Sequence, residues 1–535
     1  MVAIIRQKDA RSGITYVYES VSYWDKEKQQ SRSKRRLLGR LNAETGEVVP
    51  TDGRGKKEQP ASPARRGPVP SEKTTRTFYG ATYLLDAVGE KLGITDDLKL
   101  CFPRTYRQVL SIVYYLVLED HNPLYRFEKW GLLHRHPYGK TITSQRSSDL
   151  FASITEEVKQ QFFRLQGKRR SEKEYWAYDI TSFSSYSGAL RHVQYGNNKE
   201  GDHLPQFNLA LVFGETSNLP FYYRKLAGNI PDVKTVKHLL ADLDTLGFTK
   251  AKLVMDRGFY SEDNLNALFK EHLKFLIAGK MSLAWIREKL EDIYTDFRSF
   301  EAYNDTYQLY CRTVQTTWQY TLKRPYKGDT ITESRRVYLH YYYNIDKAAE
   351  QEKAFDRKLM ELRHELESEK RIPEHEGQYK KYFDVHTTPK RGTKVVVKDE
   401  AARKAKRYFG YFVLITNETM DALTALKLYR NKDLVEKAFG NLKERLNLRR
   451  TLVSSEQSLE GKLFVEFVAL IYLSYIKKRM QDTGLFRHYT LQSALDKLDV
   501  IECFAAPGQA LRVGEILEKQ KELFVALGVE PPTSL

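Results

Sequence analysis

The sequence predicts an α/β protein: a mixed-sheet core with helical crossovers, a β-rich insertion, and flanks made of a basic strand-containing segment and helical regions. Three observations lead there. Residues 173–280 alternate apolar strand-like runs with amphipathic helical runs. Residues 285–405 break that alternation with strand-like runs and one charged helix. The chain also carries 87 Lys and Arg against 69 Asp and Glu, a formal charge of +18, which calls for a polyanionic partner. Nucleic acid and an anionic membrane surface share that requirement. The best apolar runs, Val109–Leu118 and Leu463–Ile476, fall short of the roughly 20 residues that a membrane span needs, and the second contains Glu466. Both read as buried helices, so no membrane partner is expected. No signal peptide is read at the start. Cys101, Cys311 and Cys503 form neither a CxxC pair nor a disulfide framework, which fits a cytoplasmic protein.

At 535 residues the chain exceeds one ordinary core. Residues 1–76 open with an alternating strand, Thr15–Tyr23, followed by the basic stretch Arg32–Arg40 with Lys34, Arg35 and Arg36 at its centre. They hold 17 Lys or Arg against 9 Asp or Glu. A DNA-gripping arm and a solvated charge run both account for that excess. The Gly/Pro/basic stretch from Gly53 to Pro70 reads as a linker. Residues 77–172 turn helical, with Tyr83, Leu84, Leu85, Val88 and Leu92 on one face. They read as a second DNA-contacting module or as scaffold.

Residues 173–284 form the first part of the core. Strands are expected at Tyr175–Ile180, Phe207–Phe213, Phe221–Lys225, Lys252–Met255 and Phe275–Ala278, with helices at Val233–Leu246 and Glu262–Lys270. Pro231 and Asp232 mark entry into the first helix. In residues 285–405, strand-like runs at Tyr307–Val314, Trp318–Leu322 and Arg336–Tyr343 precede a helix around Glu350–Lys370 and a strand at Val395–Lys398. Residues 406–460 return to the core with a strand, Tyr411–Thr416, and a basic helix, Tyr429–Arg445. Residues 461–535 are mostly helical, with an amphipathic segment around Val513–Leu527.

Three acidic residues fall in settings that suit metal-dependent phosphodiester chemistry. Asp179 follows the strand-like run Trp176–Tyr178. Asp256 ends Lys252–Met255 and precedes Arg257, Gly258 and Phe259, where the glycine would permit a sharp turn close to a ligand. Glu436 lies in the basic helix. Carboxylates at strand ends and on a neighbouring helix can converge on paired magnesium ions. Each aspartate alone has a plainer reading as a turn-former or helix cap. At roughly 100° per residue, Tyr429, Lys432, Glu436 and Lys443 share an arc of about 60°. Val435, Phe439, Leu442 and Leu446 form the adjoining apolar stripe. A simple surface ion pair would explain Lys432 and Glu436, but not the aligned tyrosine and second lysine. Ser182, Ser184, Ser185 and Ser187 have no His nearby in sequence and read as a solvated loop. His134 and His136 have no nearby cysteine partner for a zinc site.

The spacing Tyr429-x2-Lys432-x3-Glu436-x6-Lys443 resembles the Tyr-x2-Arg-x3-Glu-x6-Lys signature of bacterial insertion-sequence DDE transposases. Lysine stands where that family has arginine, keeping the charge but losing bidentate phosphate geometry. Asp179 in Tyr178–Thr181 and Asp256 in Asp256–Phe259 resemble the family's first and second aspartates, on its first core strand and after its fourth. The resemblance implies a ribonuclease-H-like core interrupted by a β-rich insertion. It implies two Mg²⁺ ions held by Asp179, Asp256 and Glu436, with Mn²⁺ able to substitute. It also implies cleavage and strand transfer at the element's terminal inverted repeats. Tyr429, Lys432, Lys443 and Arg257 would contact DNA near the scissile bond; Lys34, Arg35 and Arg36 would contact it elsewhere. Trp318 would stack on a flipped base, unless it is a core tryptophan. Double-stranded DNA, terminal repeats and target alike, is the implied partner, bound by a homodimer in a nucleoid-associated, cytoplasmic setting. A nuclease on the same core that cuts without joining, and a catalytically silent DNA-binding regulator, are the rival readings.

Overall fold

The computed structural model describes residues 2–51, 74–169, 174–187, 190–199, 201–248, 250–323, 330–388, 392–446, 455–506 and 508–533. The chain divides into two compact units, Met1–Glu72 and Lys73–Leu535. The expected linker, Gly53–Pro70, lies outside the described residues.

The first unit is an antiparallel meander of β1 (Val2–Lys8), β2 (Thr15–Asp25), β3 (Gln30–Leu41) and β4 (Val48–Val49), in that spatial order. The basic stretch is therefore a paired strand. A register shift at Val17/Tyr18 marks an irregularity where β2 meets β3.

In the second unit, β5 (Thr75–Phe78) leads into α1 (Gly80–Lys91), α2 (Ile94–Cys101), α3 (Tyr106–Leu118), α4 (Phe127–Leu133), α5 (Ser144–Ala152) and α6 (Glu156–Lys168). The core follows with β6 (Tyr175–Ser184), β7 (Gln206–Gly214), β8 (Pro220–Ala227), α7 (Asp232–Leu246), β9 (Lys252–Met255), α8 (Glu262–Lys270), β10 (Lys274–Gly279) and α9 (Ala284–Glu291). Next come β11 (Tyr303–Asn304), β12 (Leu309–Lys323), β13 (Thr330–Tyr343), α10 (Ile345–Glu367), α11 (Glu376–Tyr382), β14 (Phe383–Thr388), β15 (Gly392–Val397), α12 (Asp399–Lys406) and β16 (Tyr411–Thr416). The chain closes with α13 (Ala422–Asn431), α14 (Asp433–Gly440), α15 (Glu456–Asp482), α16 (Leu491–Asp499), β17 (Glu502–Ala505), β18 (Arg512–Val513) and α17 (Glu518–Ala526).

One nine-stranded mixed sheet organises this unit, in the order β11-β12-β13-β16-β10-β9-β6-β7-β8. Strands β6, β7 and β8 form an antiparallel meander; helical crossovers then return the chain to β9 and β10, parallel to β6. The arrangement is consistent with a ribonuclease-H-like core. Strands β11–β13 join the same sheet through β16, which pairs with both β10 and β13. The runs expected as two strands, Tyr307–Val314 and Trp318–Leu322, are a single strand, because β13 offers an unbroken antiparallel partner from Tyr343 to Thr330. Helices α10–α12 and the β14–β15 hairpin close a small core of their own around Leu362, Tyr379 and Phe383.

Helix α15 runs through the centre of the unit. Its residues 463–476 are all buried, as a helix apolar on every side must be, and it packs on α3, α5 and β8. No helix among the described residues is long and apolar enough to cross a membrane. The C-terminal region is less helical than expected: β17 pairs with β5 and β18, and the supposed amphipathic run divides into β18 and α17.

Candidate active site

Sheet register brings the two aspartates together. Strands β6 and β9 run parallel, with Tyr175 opposite Lys252 and Tyr178 opposite Met255. The next position on each strand is Asp179 and Asp256. Neighbouring strands lie roughly 4.8 Å apart, and residues two apart share a face. Both aspartates therefore sit side by side on the face that carries Tyr175 and Val254. Asp179 does not end its strand as the sequence suggested; β6 continues to Ser184 because β7 pairs with it along that whole length.

Helices α13 and α14 cover this face. The first packs on β9, β10, β12 and β13, the second on β6 and β7. The expected single helix, Tyr429–Arg445, is broken at Lys432, which ends α13 and begins α14, and it finishes in a π-helical turn over Asn441–Arg445. The break stands over the aspartates. The Tyr429 hydroxyl donates to Asp256 Oδ1 at 2.5 Å, and the Lys432 ammonium donates to Glu436 Oε1 at 3.2 Å. Val435, Ala438 and Phe439 bury the other side of α14.

The electrostatics tie these groups into one site. Burial pushes the Asp179 carboxyl up to about 6; the charge of Asp256 adds to the rise, while the Ile180 N–H, Lys199 and Lys432 oppose it. Burial also acts upward on Asp256, yet the Tyr429 hydroxyl, the Arg257 N–H and the charges of Lys432 and Arg257 hold its carboxyl below the ordinary range. Lys432 is the common partner. Burial works against its charge, but Asp256, Asp179 and Glu436 together raise its pKa. Tyr429 is held firmly in its neutral form by burial and by Asp256.

The turn after Asp256 is fixed by Phe259, which is buried and packs on Tyr178 with ring centroids 5.1 Å apart. Gly258 is not required there by the backbone. A Cβ at that position would meet only Asp232 Oδ2, at an ordinary 3.6 Å. Beside the site lies a cavity of about 1120 Å³, lined by Asp256, Arg257, Lys280, Arg287, Lys347, Tyr408, Tyr429, Arg430 and Lys432 among others. Cations and aromatic rings thus line the cavity beside Asp256.

The remaining candidates have surroundings of their own. Lys443 approaches β6 further along, its ammonium 5.4 Å from the Phe183 ring. The π turn re-sets the helical register on which the expected arc depended. Trp318 is half-buried on β12; its indole N–H donates to Asn266 at 2.9 Å, and its ring meets Trp285 edge-on at 5.3 Å. Lys34, Arg35 and Arg36 belong to the first unit, on alternating faces of β3. Ser182, Ser184 and Ser185 are buried and hydrogen-bonded, not a solvated loop: Ser182 donates to Asn208, and Ser184 donates to Asp202. His134 stacks on Trp130 and contacts Asp499 at 2.9 Å, while His136 contacts Ser111; both are core residues.

One residue near the centre escaped the sequence reading. Lys199 donates to the Ile180 carbonyl at 2.6 Å and to Asp232 Oδ2 at 2.9 Å, which brings its charge to bear on Asp179. It follows Asn197 and Asn198 in a connection between strands, where neither spacing nor periodicity marks it.

The Transposase DDE domain model matches residues 160–472, more than half of the chain. The chain belongs to this DDE transposase family. The match begins in α6 and ends in α15, so it takes in the whole sheet, the strands beyond β10 and the α13–α14 pair. The structure is also similar to the cryo-EM structure of a piggyBac transposase synaptic complex with hairpin DNA. The two share 10% sequence identity over 78% of this chain and 76% of that one, at a TM-score of 0.36. No curated protein matches the chain.

DDE transposases generally use divalent metals. Among the described residues, no three acidic, histidine or cysteine side chains are grouped closely enough to hold one ion. Glu436 is instead paired with Lys432, whose charge also acts on both aspartates. The oxygen-rich donor set suits a hard divalent cation, and the charge of Lys432 acts on all three carboxylates.

Proposed function

We propose that this DDE transposase cuts and joins DNA at the terminal inverted repeats of a bacterial insertion sequence, with Asp179, Asp256 and Glu436 as its catalytic carboxylates. The observation that carries the reading is the register of β6 on β9, which sets Asp179 beside Asp256 beneath Lys432 and Tyr429. The Tyr429-x2-Lys432-x3-Glu436-x6-Lys443 spacing supports the insertion-sequence assignment. Mg²⁺, or Mn²⁺ in its place, would be held by the three carboxylates and would supply activation of the attacking hydroxyl and stabilisation of the departing 3′-oxygen.

The chain's own groups have distinct tasks. Tyr429 keeps the Asp256 carboxylate ionised and oriented. Lys432 offsets the charge of the carboxylates without metal, and its flexible stem allows it to turn to a phosphate once cations replace its charge. Glu436, with its side chain 59% exposed and paired with Lys432, would rotate inward to reach a cation shared with the aspartates. Arg257, Arg287 and Lys347 line the cavity through which a DNA strand would approach Asp256. Joining two ends requires two protomers, so a homodimer is the expected working form.

The test is metal-dependent cleavage and joining of duplexes carrying the repeats that flank the gene, resolved on denaturing gels. Cut ends and joined products, both lost in Glu436→Gln, support the proposal. Cutting without joining indicates a nuclease, and binding without cutting a DNA-binding regulator.

A further inference from the structure

The first unit contains a projecting two-stranded ribbon that the catalytic site does not explain. Strand β1 follows β2 only as far as the Val2–Val21 pair. Beyond it, the described residues of β2 and β3 pair with each other through Ser22–Ser33, Tyr23–Arg32, Trp24–Ser31 and Asp25–Gln30. These further rungs extend about 14 Å at the usual strand rise. Cross-strand partners share a face, so one side of the sheet carries Asp25 with Gln30, Tyr23 with Arg32, Val2 and Val21 with Lys34, and Ile4 and Glu19 with Arg36, with Asp25 3.6 Å from the Arg32 guanidinium. Arg35 lies on the opposite side, opposite Ser20. The apparent cluster Lys34-Arg35-Arg36 is split by the pleat.

We infer that this ribbon reads double-stranded DNA, entering the major groove with the face that bears Tyr23, Arg32, Lys34 and Arg36. A major groove roughly 12 Å wide admits a two-stranded β-ribbon. Strand β3 carries Arg32, Lys34, Arg35, Arg36 and Arg40 and no acidic residue, matching a polyanion. The proposed face also exposes apolar groups, with Val21 at 40% and Tyr23 at 49%. A cation that donates to guanine edges beside an apolar contact for thymine methyls is what base readout in that groove requires. Lys and Arg on an edge strand can alternatively serve only to discourage pairing with other chains. That role has no use for exposed Val2, Ile4, Val21 and Tyr23 on the same face, since they would make the edge more adhesive. The inference is independent of the catalytic carboxylates and assigns a reading element to a unit that contains none of them.

The test is fluorescence anisotropy with the full-length protein in metal-free buffer, so that cleavage plays no part. The probes are a duplex carrying the terminal repeat and a scrambled duplex of equal composition. Lys34→Ala, Arg35→Ala and Arg36→Ala each remove one charge from consecutive positions. Lys34→Ala and Arg36→Ala should each weaken binding about tenfold and lower the salt slope by about one, with Arg35→Ala within about twofold of wild type. Arg32→Ala and Tyr23→Ala should reduce the preference for the repeat over the scrambled duplex. Equal losses in Arg35→Ala and Lys34→Ala would overturn the assignment of a reading face, and unchanged binding in all five variants would remove the ribbon from DNA contact.

Discussion

Asp179 is a residue whose chemistry and stability pull in opposite directions. Its carboxyl is raised from 3.8 to about 6, mainly by burial. A raised folded-state value means that protonated Asp179 favours the fold. That contribution is complete below about 3.8 and is lost as pH rises through about 6. Asp179→Asn should therefore melt higher than wild type at pH 7 and at about the same temperature at pH 3.5. The gain is at most about 3 kcal/mol at neutral pH, measurable by paired thermal melts, while cleavage is abolished. A wild type that melts higher than the variant at pH 7 would show the carboxylate to be stabilising, against this account. Lys432 has the opposite character. Replacing it with Ala leaves Asp179, Asp256 and Glu436 without their shared cation, and initial cleavage rates should fall by about 100-fold or more. Lys432→Arg, which keeps the positive charge, should retain most of the activity.

Among the elements, those with strong periodicity were legible from the chain. Helix α8 and strand β16 lie where the pattern of Glu262–Lys270 and Tyr411–Thr416 placed them. The sequence settings of Asp179, Asp256 and Glu436 were legible as candidates, since each sits in an ordered motif. The register that sets Asp179 beside Asp256 was not, because parallel pairing between β6 and β9 is a tertiary fact. Nor was the break at Lys432 or the π turn at Asn441–Arg445, which depend on long-range partners. Arg445, with its side chain 10% exposed, donates to the Val117 carbonyl at 2.8 Å and to Gln492. Asn441 accepts from Lys477. Arg445→Ala leaves those acceptors unpaired and should destabilise the protein by about 2–4 kcal/mol. Chemical denaturation checks this, and a loss below about 0.5 kcal/mol would mean that the turn is held by other contacts.

At the scale of the whole molecule, α15 threads the second unit and carries Glu466, fully buried with both carboxyl oxygens lacking a hydrogen bond. Burial pushes that carboxyl up to about 8, against the attraction of Lys462 at 3.7 Å. Stability should fall as pH rises from about 4.5 through 8, and Glu466→Gln should flatten that decline in thermal melts. The cationic excess is spread over both units, so end-binding should survive loss of any one carboxylate. The most direct test is strand cleavage of terminal-repeat duplexes with Mg²⁺ by Asp179→Asn, Asp256→Asn and Glu436→Gln, each at a protein concentration that saturates binding. All three should bind the duplex and leave it uncut. Near wild-type cutting by any one of them would contradict the proposal that these three residues form a single catalytic centre.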